Sequence, residues 1–338
     1  MVAWLTCLKD NDMKPRLVII GAGLAGVSLA LRCRHAMQVT LIEKSRGVAG
    51  RMSTRRLDDQ VFDHGAQYFT VRNDRFAAML APHMKAGVVA PWQARIVTVG
   101  ADRKPQKRDM PTPPMIALPG MTGLVKAMAE GLEIMTGTEA AAITRHGTGW
   151  QISDRDSQPI IDADMVVTAI PAPQARRMLP PDCDFLSRLD DVRMQGCFTF
   201  MLGYDEDLGL AWDATFVEDS PLGFVANNTA RPEHGGGTAL TVQTTNLWAE
   251  DRLDLATEDI EAALTKALAD HLGIDAGAAM RRRLHRWRYA SVSQPLGAAF
   301  ALDEEKGLAA IGDWCLRGRV EAAFESATAL ADHLGMDG

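Results

Sequence analysis

The run Leu17-Val18-Ile19-Ile20 is apolar at every position, rich in β-branched side chains and closed by a glycine. That is the pattern of a short strand buried on both faces. Leu24–Cys33 then reads as a helix and Gln38–Glu43 as a second strand, so the chain opens on a βαβ unit. Helices are expected over about 74–86 and 123–132, the second feeding a strand near Glu133. Residues 100–114, dense in charge and proline, read as an exposed hairpin or loop. Another buried strand is expected over 164–170, stopped by Pro171-Ala172-Pro173. From about 188 to 289 the pattern becomes one of alternating strands with a single clear helix near 258–272. The opening style then returns as a strand at 308–311, a glycine turn and a helix from about 320 to 334.

These elements define an α/β chain with a Rossmann-type nucleotide-binding domain built from both ends and part of the middle. The expected boundaries are 13–90 with 115–187 and 300–338 for that domain, and 91–114 with 188–299 for an inserted, mostly β (α+β) domain. Residues 1–12 read as a disordered extension, with Met13 as an alternative start.

The turn after the first strand, Gly21-Ala22-Gly23-Leu24-Ala25-Gly26, is a GxGxxG sequence. Its glycines allow a tight turn and close backbone approach, so amides at the helix start face a pyrophosphate. Alone the pattern is weak. Here it follows a strand and opens a helix, and Glu43 stands twenty residues beyond Gly23 at the end of the second strand. A carboxylate there accepts the ribose hydroxyls of an adenosine, with Lys44 beside it as a further cofactor contact.

NAD and FAD share this ADP half. Two later features bear on the choice. Arg51, in Arg46-Gly47-Val48-Ala49-Gly50-Arg51, either clamps the pyrophosphate or belongs to a solvated basic loop. Asp313, in Ile311-Gly312-Asp313, either accepts hydrogen bonds from a ribityl chain, which NAD lacks, or serves as a turn residue.

Composition narrows the classes. The chain has 338 residues, 47% hydrophobic, with a formal net charge of −7, which argues against coating nucleic acid. No stretch approaches the ~18 consecutive apolar residues of a membrane span. The five cysteines are widely spaced and odd in number, so a disulfide framework is not expected. The bland reading is an acidic cytoplasmic protein. No histidine–cysteine cluster has metal-ligand spacing, and no nucleophile elbow is present.

Several segments together resemble the bacterial renalases, FAD-dependent relatives within the amine-oxidase superfamily. They are Ser45-Arg46-Gly47, Gly50-Arg51-Met52-Ser53-Thr54-Arg55-Arg56 and Phe62-Asp63-His64-Gly65-Ala66-Gln67-Tyr68-Phe69-Thr70. Further matches are Pro119-Gly120-Met121, Asp219-Ser220-Pro221-Leu222, His285-Arg286-Trp287 with Tyr289-Ala290, and Gly312-Asp313-Trp314-Cys315 with Gly318-Arg319-Val320-Glu321. The resemblance runs from about Arg16 to the C-terminus. It implies a non-covalent FAD in the nucleotide domain and a substrate domain in the insertion. It places Glu43 at the adenosine ribose, Arg51 on the phosphate side, and Asp313 near the phosphate and ribityl part. Gly65, Ala66 and Gln67 would pass close to the isoalloxazine. Val320 would bring a helix N-terminus to the pyrimidine edge, or is simply a buried first-turn residue. Ala49, Ala322 and Ala327 stand where the family commonly has glycine, and Gln243 where it often has histidine.

Alternation places His285, Trp287 and Tyr289 on one face of a strand, either lining a flat pocket or packed as core. With Tyr68 and Gln243 they make up the candidate substrate pocket. Arg281, Arg282 and Arg283 read as a solvated edge rather than a phosphate site. No side chain is assigned as catalytic, since the flavin carries the chemistry. The resemblance implies oxidation of misreduced 2- or 6-dihydro-NAD(P) by hydride transfer to flavin N5, with O2 as final acceptor giving H2O2. The alternatives are a small-amine oxidase and a flavin-binding protein without turnover. Only three tyrosines are present, which disfavours a paired-tyrosine amine cage.

Overall fold

The computed structural model describes residues 14–232, 234 and 236–336, so the extension expected at 1–12 lies outside the described residues. The chain divides into two compact units. The first comprises the chain up to Gly50, Val125–Met194 and the chain from Val292; the second comprises Arg51–Leu124 and Gln195–Ser291.

The first unit is a six-stranded sheet in the order Ala301–Asp303, Leu308–Ala310, Met165–Thr168, Arg16–Ile20, Gln38–Glu43, Glu133–Thr136. All neighbours are parallel except the first pair. Ile20 lies opposite both Thr168 and Ile42, so the ends of three strands come level just before Gly21. Parallel strands are covered on both faces, which is why the central runs 17–20 and 165–167 are apolar throughout. Helices Leu24–Cys33 and Val320–His333 pack on one another, and Arg32 ties their ends by bonding Asp332 and the Met336 carbonyl, each at 2.8 Å. Ala322 and Ala327 are fully buried in the second of these helices, where the fold accommodates their methyl groups. Residues 142–163, unread in the sequence, form a three-stranded antiparallel sheet whose Trp150 and Ile152 join the core of this unit. The helix expected over 123–132 is shorter, Thr122–Met128, and Gly131 turns the chain with φ +75°.

The second unit is a seven-stranded sheet in the order Arg281–Gln294, Arg193–Tyr204, Thr238–Thr244, Leu222–Asn227, Ala214–Val217, Ile96–Val99, Pro105–Lys107. Period-2 alternation gives it two distinct faces. Phe198, Phe200, Leu202, Val225, Leu240 and Val242 point to one face and form a core with Ile260, Leu264 and Leu268 of helix Thr257–Leu272. Glu258 and Asp259 in the first turn and Gly273 at φ +66° suit the two ends of that helix. Of the exposed hairpin or loop expected at 100–114, Pro105–Lys107 is an exposed strand that pairs antiparallel with the largely buried Ile96–Val99.

The other face of this sheet carries Thr199, Met201, Phe216, Phe224, Ala239, Thr241 and Gln243, as the cross-strand register shows. A hairpin, Thr54–Leu57 with Gln60–Asp63, lies over it, with Phe62 buried against Met201 and Ala239. That burial is the physical reason residues 51–90 and 115–124 group with the second unit, whereas the sequence boundaries put them on the nucleotide side. No helix among the described residues is long and apolar enough to cross a membrane.

Candidate functional site

The candidate residues fall into one set in each unit. In the first unit, Gly21 has φ +108°, and a Cβ there would sit 2.7 Å from the Ala169 carbonyl oxygen. A Cβ on Gly26 would lie 2.0 Å from the Gly21 oxygen, so only glycine lets helix and turn approach this closely. Gly23 differs: a Cβ there meets nothing within 4 Å. Space is therefore open at the start of helix Leu24–Cys33, which has no side-chain cap and no acidic residue in its first turn. Uncapped amides facing open space suit an anion. Ala25 is buried inside the turn.

Glu43 ends its strand buried, accepting the Ala22 amide at 3.0 Å and the Ser45 amide at 2.8 Å. Its carboxylate is thereby fixed beside the glycine turn, while Lys44 is exposed. The loop after Glu43 is tied back through the Ala49 amide to the Ala22 carbonyl at 2.9 Å. Ala49 is buried with φ +95°, a left-handed conformation that glycine adopts more readily than alanine. Asp313 is buried after the strand Leu308–Ala310, its carbonyl accepting the Leu316 and Gly318 amides. Val320 is the first residue of its helix, whose first turn already holds one buried acid, Glu321.

In the second unit the segment His64–Gln67 is held from several sides. The Ala66 amide donates to the Arg51 carbonyl at 2.8 Å, and a Cβ on Gly65 would lie 2.0 Å from that same oxygen. Trp287 Nε1 donates to the His64 carbonyl at 2.9 Å, and Gln243 Nε2 to the Gly65 carbonyl at 2.7 Å. Two candidate pocket residues are thus brought directly onto the segment that the renalase resemblance assigns to the flavin. Arg51 itself reaches the Ala290 carbonyl at 3.3 Å.

The rings sort into two groups. His64 stacks on Trp287 with centroids 5.4 Å apart, and His285 meets both edge-on at 5.0 and 4.2 Å. Burial first, then the neighbouring His285 and Arg55, pushes His64 down to about 3, and burial, then Arg55 and Arg283, pushes His285 down to about 4. Both imidazoles are therefore neutral in ordinary buffers. Tyr68 belongs to the second group, with Trp92 and Phe224 each at 6.0 Å. Phe224 lies opposite Gln243 in the sheet, so the two groups flank that glutamine. Tyr204 is not part of this face, because it packs in the helix-covered core with its hydroxyl on the Asp275 carbonyl.

The sequence reading missed Arg231. Its side chain is fully buried and ion-paired with Asp63, also fully buried, and its Nη2 donates to the Gln67 carbonyl at 2.8 Å and Gln67 Oε1 at 3.1 Å. The guanidinium lies 4.8 Å from the centre of the Trp92 ring. Asp63 also accepts from Thr54 Oγ1 and the Met121 amide. Removing either partner of such a buried pair typically costs about 3–5 kcal/mol, so it fixes the conformation of the Asp63–Gln67 segment. Partners 168 residues apart leave no local signal in sequence.

A parallel sheet with a glycine turn at its helix start, interrupted by a β-rich unit, defines a Rossmann-type dinucleotide-binding fold with a large insertion. Residues 19–82 match the NAD(P)-binding Rossmann-like domain family, and residues 93–334 match the flavin containing amine oxidoreductase family. The chain belongs to the flavin containing amine oxidoreductases, with FAD as its cofactor. Among solved structures it is similar to an Exiguobacterium sp. 255-15 protein described as a protoporphyrinogen oxidase, with TM-score 0.75 and 14% identity over 95% of this chain and 99% of that one. It is also similar to a putrescine oxidase solved with putrescine, with TM-score 0.73 and 14% identity over 96% of this chain and 100% of that one. At these identities the likeness speaks to the fold.

Proposed function

We propose that this flavoprotein oxidises isomers of NAD(P)H reduced at C2 or C6 of the nicotinamide, yielding NAD(P)+ with O2 reduced to H2O2. The observation that carries the reading is the convergence of Trp287 and Gln243 on the carbonyls of His64 and Gly65. It joins the pocket residues to the segment that the renalase resemblance places at the flavin. In this reading 13–90, 115–187 and 300–338 form the FAD-binding domain by function, and 91–114 with 188–299 the substrate domain.

The residues of the first unit fit the cofactor. The open helix start at Gly23 receives the pyrophosphate, and buried Glu43, with Lys44 beside it, takes the adenosine ribose. Asp313 would serve the ribityl chain and Val320 would bring a helix N-terminus to the pyrimidine edge, while Arg51, which belongs to the second unit, would serve the phosphate side. Bound FAD would supply the two-electron acceptor for the hydride, with O2 as the final acceptor.

The chain's own task is orientation. Trp287 and Tyr289 hold the flat donor ring, Gln243 and Arg231 keep the Gly65–Gln67 backbone in place, and Tyr68 closes the face from the other side. Neither His64 nor His285 is tuned as a base, and none is required. A dihydropyridine that gives up a hydride becomes an aromatic cation with no proton to lose.

Family membership favours a second reading, oxidation of a small amine. That chemistry uses an uncharged amine, commonly within an aromatic cage. The burial of Tyr204 in the opposite core leaves only Tyr68 and Tyr289 for such a cage. The test is anaerobic mixing of the holoprotein with each donor. 2- or 6-dihydro-NAD(P) is expected to bleach the flavin much faster than 4-dihydro-NAD(P)H or monoamines, and air to return one peroxide per substrate. Bleaching by an amine and by neither isomer would transfer the assignment to the amine reading. No bleaching by any donor would leave a binding protein.

A further inference from the structure

The three arginines at 281–283 do not behave as one solvated edge. Along strand Arg281–Gln294, Arg282, Leu284 and Arg286 face the helix-covered core. Arg282 lies over Phe200 near Glu261, and Arg286 lies over Phe198 and bonds the Leu255 carbonyl. Arg281 is neutralised by Asp58, Asp59 and Asp205. Arg283, which is exposed, alone of the three has no carboxylate partner among the described residues, and alternation puts it on the strand face that carries His285 and Trp287.

Arg55 stands at the same level. Gln60 and Arg281 both crowd the Cα of Gly203, while His64 meets His285 and Trp287, so the hairpin strand Gln60–Asp63 runs alongside residues 281–287. Phe62 therefore falls near Arg283, and Arg55 is the cross-strand partner of Phe62. Directly opposed residues share a face. The Arg55 side chain is half-buried and, among the described residues, has no carboxylate partner. Burial, and then Arg283, lower its pKa, and both arginines depress His285. Two guanidiniums and a neutral imidazole thus come together with no carboxylate partner for either arginine among the described residues, although Arg281, Arg282 and Arg288 of this strand have found partners.

We propose that Arg55 and Arg283, with His285 beside them, form an anion subsite that takes the phosphate of the nucleotide substrate; this rests on the nicotinamide-nucleotide reading above. Guanidinium groups present paired donors that match phosphate oxygens. Like charges held together without a counter-ion destabilise the folded chain, a cost that binding of an anion removes. A protonated amine would be repelled here.

The test uses holoprotein, with Arg55→Met, Arg283→Met and the double variant. Dissociation constants are measured for oxidised nicotinamide mononucleotide and for nicotinamide riboside, which lacks the phosphate, by perturbation of the flavin spectrum at low salt. Wild type is expected to prefer the mononucleotide by about tenfold or more, and each substitution to erase most of that preference without changing riboside affinity. Inorganic phosphate should compete with the mononucleotide only. The thermal midpoint of each variant should equal or exceed that of wild type, which a merely structural arginine would not give. Equal weakening of both ligands, or an unchanged preference, would overturn the proposal. If wild type binds neither nicotinamide compound, the functional reading fails, and calorimetry with inorganic phosphate decides the subsite separately. Binding that the double variant loses would keep it as a site for free phosphate, and no binding would remove it.

Discussion

At Gly65 a methyl group would have to occupy a point 2.0 Å from the Arg51 carbonyl oxygen, and neither backbone can yield without breaking the bonds that Gln243 and Trp287 make to this segment. Gly65→Ala is therefore expected to cost on the order of 3 kcal/mol and to lower flavin occupancy, read from denaturant midpoints and the flavin-to-protein absorbance ratio. Ala49 is the instructive contrast. Its φ of +95° carries strain that a glycine would relieve, yet the methyl is buried and a glycine would gain entropy in the unfolded chain. Strain of about 1–3 kcal/mol is opposed by about 0.8 for the methyl and about 0.5–1 for glycine entropy, so Ala49→Gly should move stability by no more than about 2 kcal/mol. A large loss in that variant would show that the methyl packs in a way the strained conformation serves. Neither distinction can be read from the sequence, because both depend on which backbone faces the added carbon.

The elements were legible wherever the signal is local. The strands at 16–20 and 38–43, the glycine turn and the helices at 24–33 and 257–272 follow from apolar runs, periodicity and glycine punctuation. The sheet at 142–163 was not, since its strands alternate weakly and are partly exposed. Alternation did place His285 and Trp287 on one face, but only the fold brought His64 against them and paired Asp63 with Arg231. That meeting of strand and hairpin has a consequence for acid stability. His64 and His285 are pushed from 6.5 down to about 3 and about 4 by burial and then by positive neighbours, among them Arg55 and Arg283. In the unfolded chain both titrate near 6.5. Between that pH and about 4 the unfolded state holds more protons, so stability is full above the ordinary histidine range and falls as pH falls. Wild type should lose a few kcal/mol, in order of magnitude, over this window, and His285→Gln should show a shallower loss by urea denaturation. Identical slopes would mean that His285 is solvated and the cluster is looser than described.

For the whole molecule, the chain passes between its two units at 50/51, 124/125, 194/195 and 291/292, so neither unit is one continuous segment. The sequence showed the return to nucleotide-domain texture near residue 300 but not that 51–90 groups with the inserted sheet, since a hairpin's own pattern does not say which surface will bury Phe62. Each unit has its own hydrophobic core built from its own side chains. FAD is therefore not needed to complete a core, and the apoprotein should stay folded after the flavin is removed. On the proposed reading the cofactor acts instead by mass action, binding the folded chain at the open helix start and at Glu43 and leaving the unfolded chain alone. At free FAD about one hundred times its dissociation constant the gain is about 2.7 kcal/mol, rising with the logarithm of concentration. Denaturant midpoints of apoprotein titrated with FAD should trace that curve. In Glu43→Ala the apoprotein midpoint will also fall, because the Ala22 and Ser45 amides lose their acceptor, so the informative quantity is the increment added by FAD. That increment should shrink at every FAD concentration, reflecting weaker affinity. An undiminished increment would place the adenosine away from Glu43, and an apoprotein that unfolds outright would show that the flavin is part of the core after all.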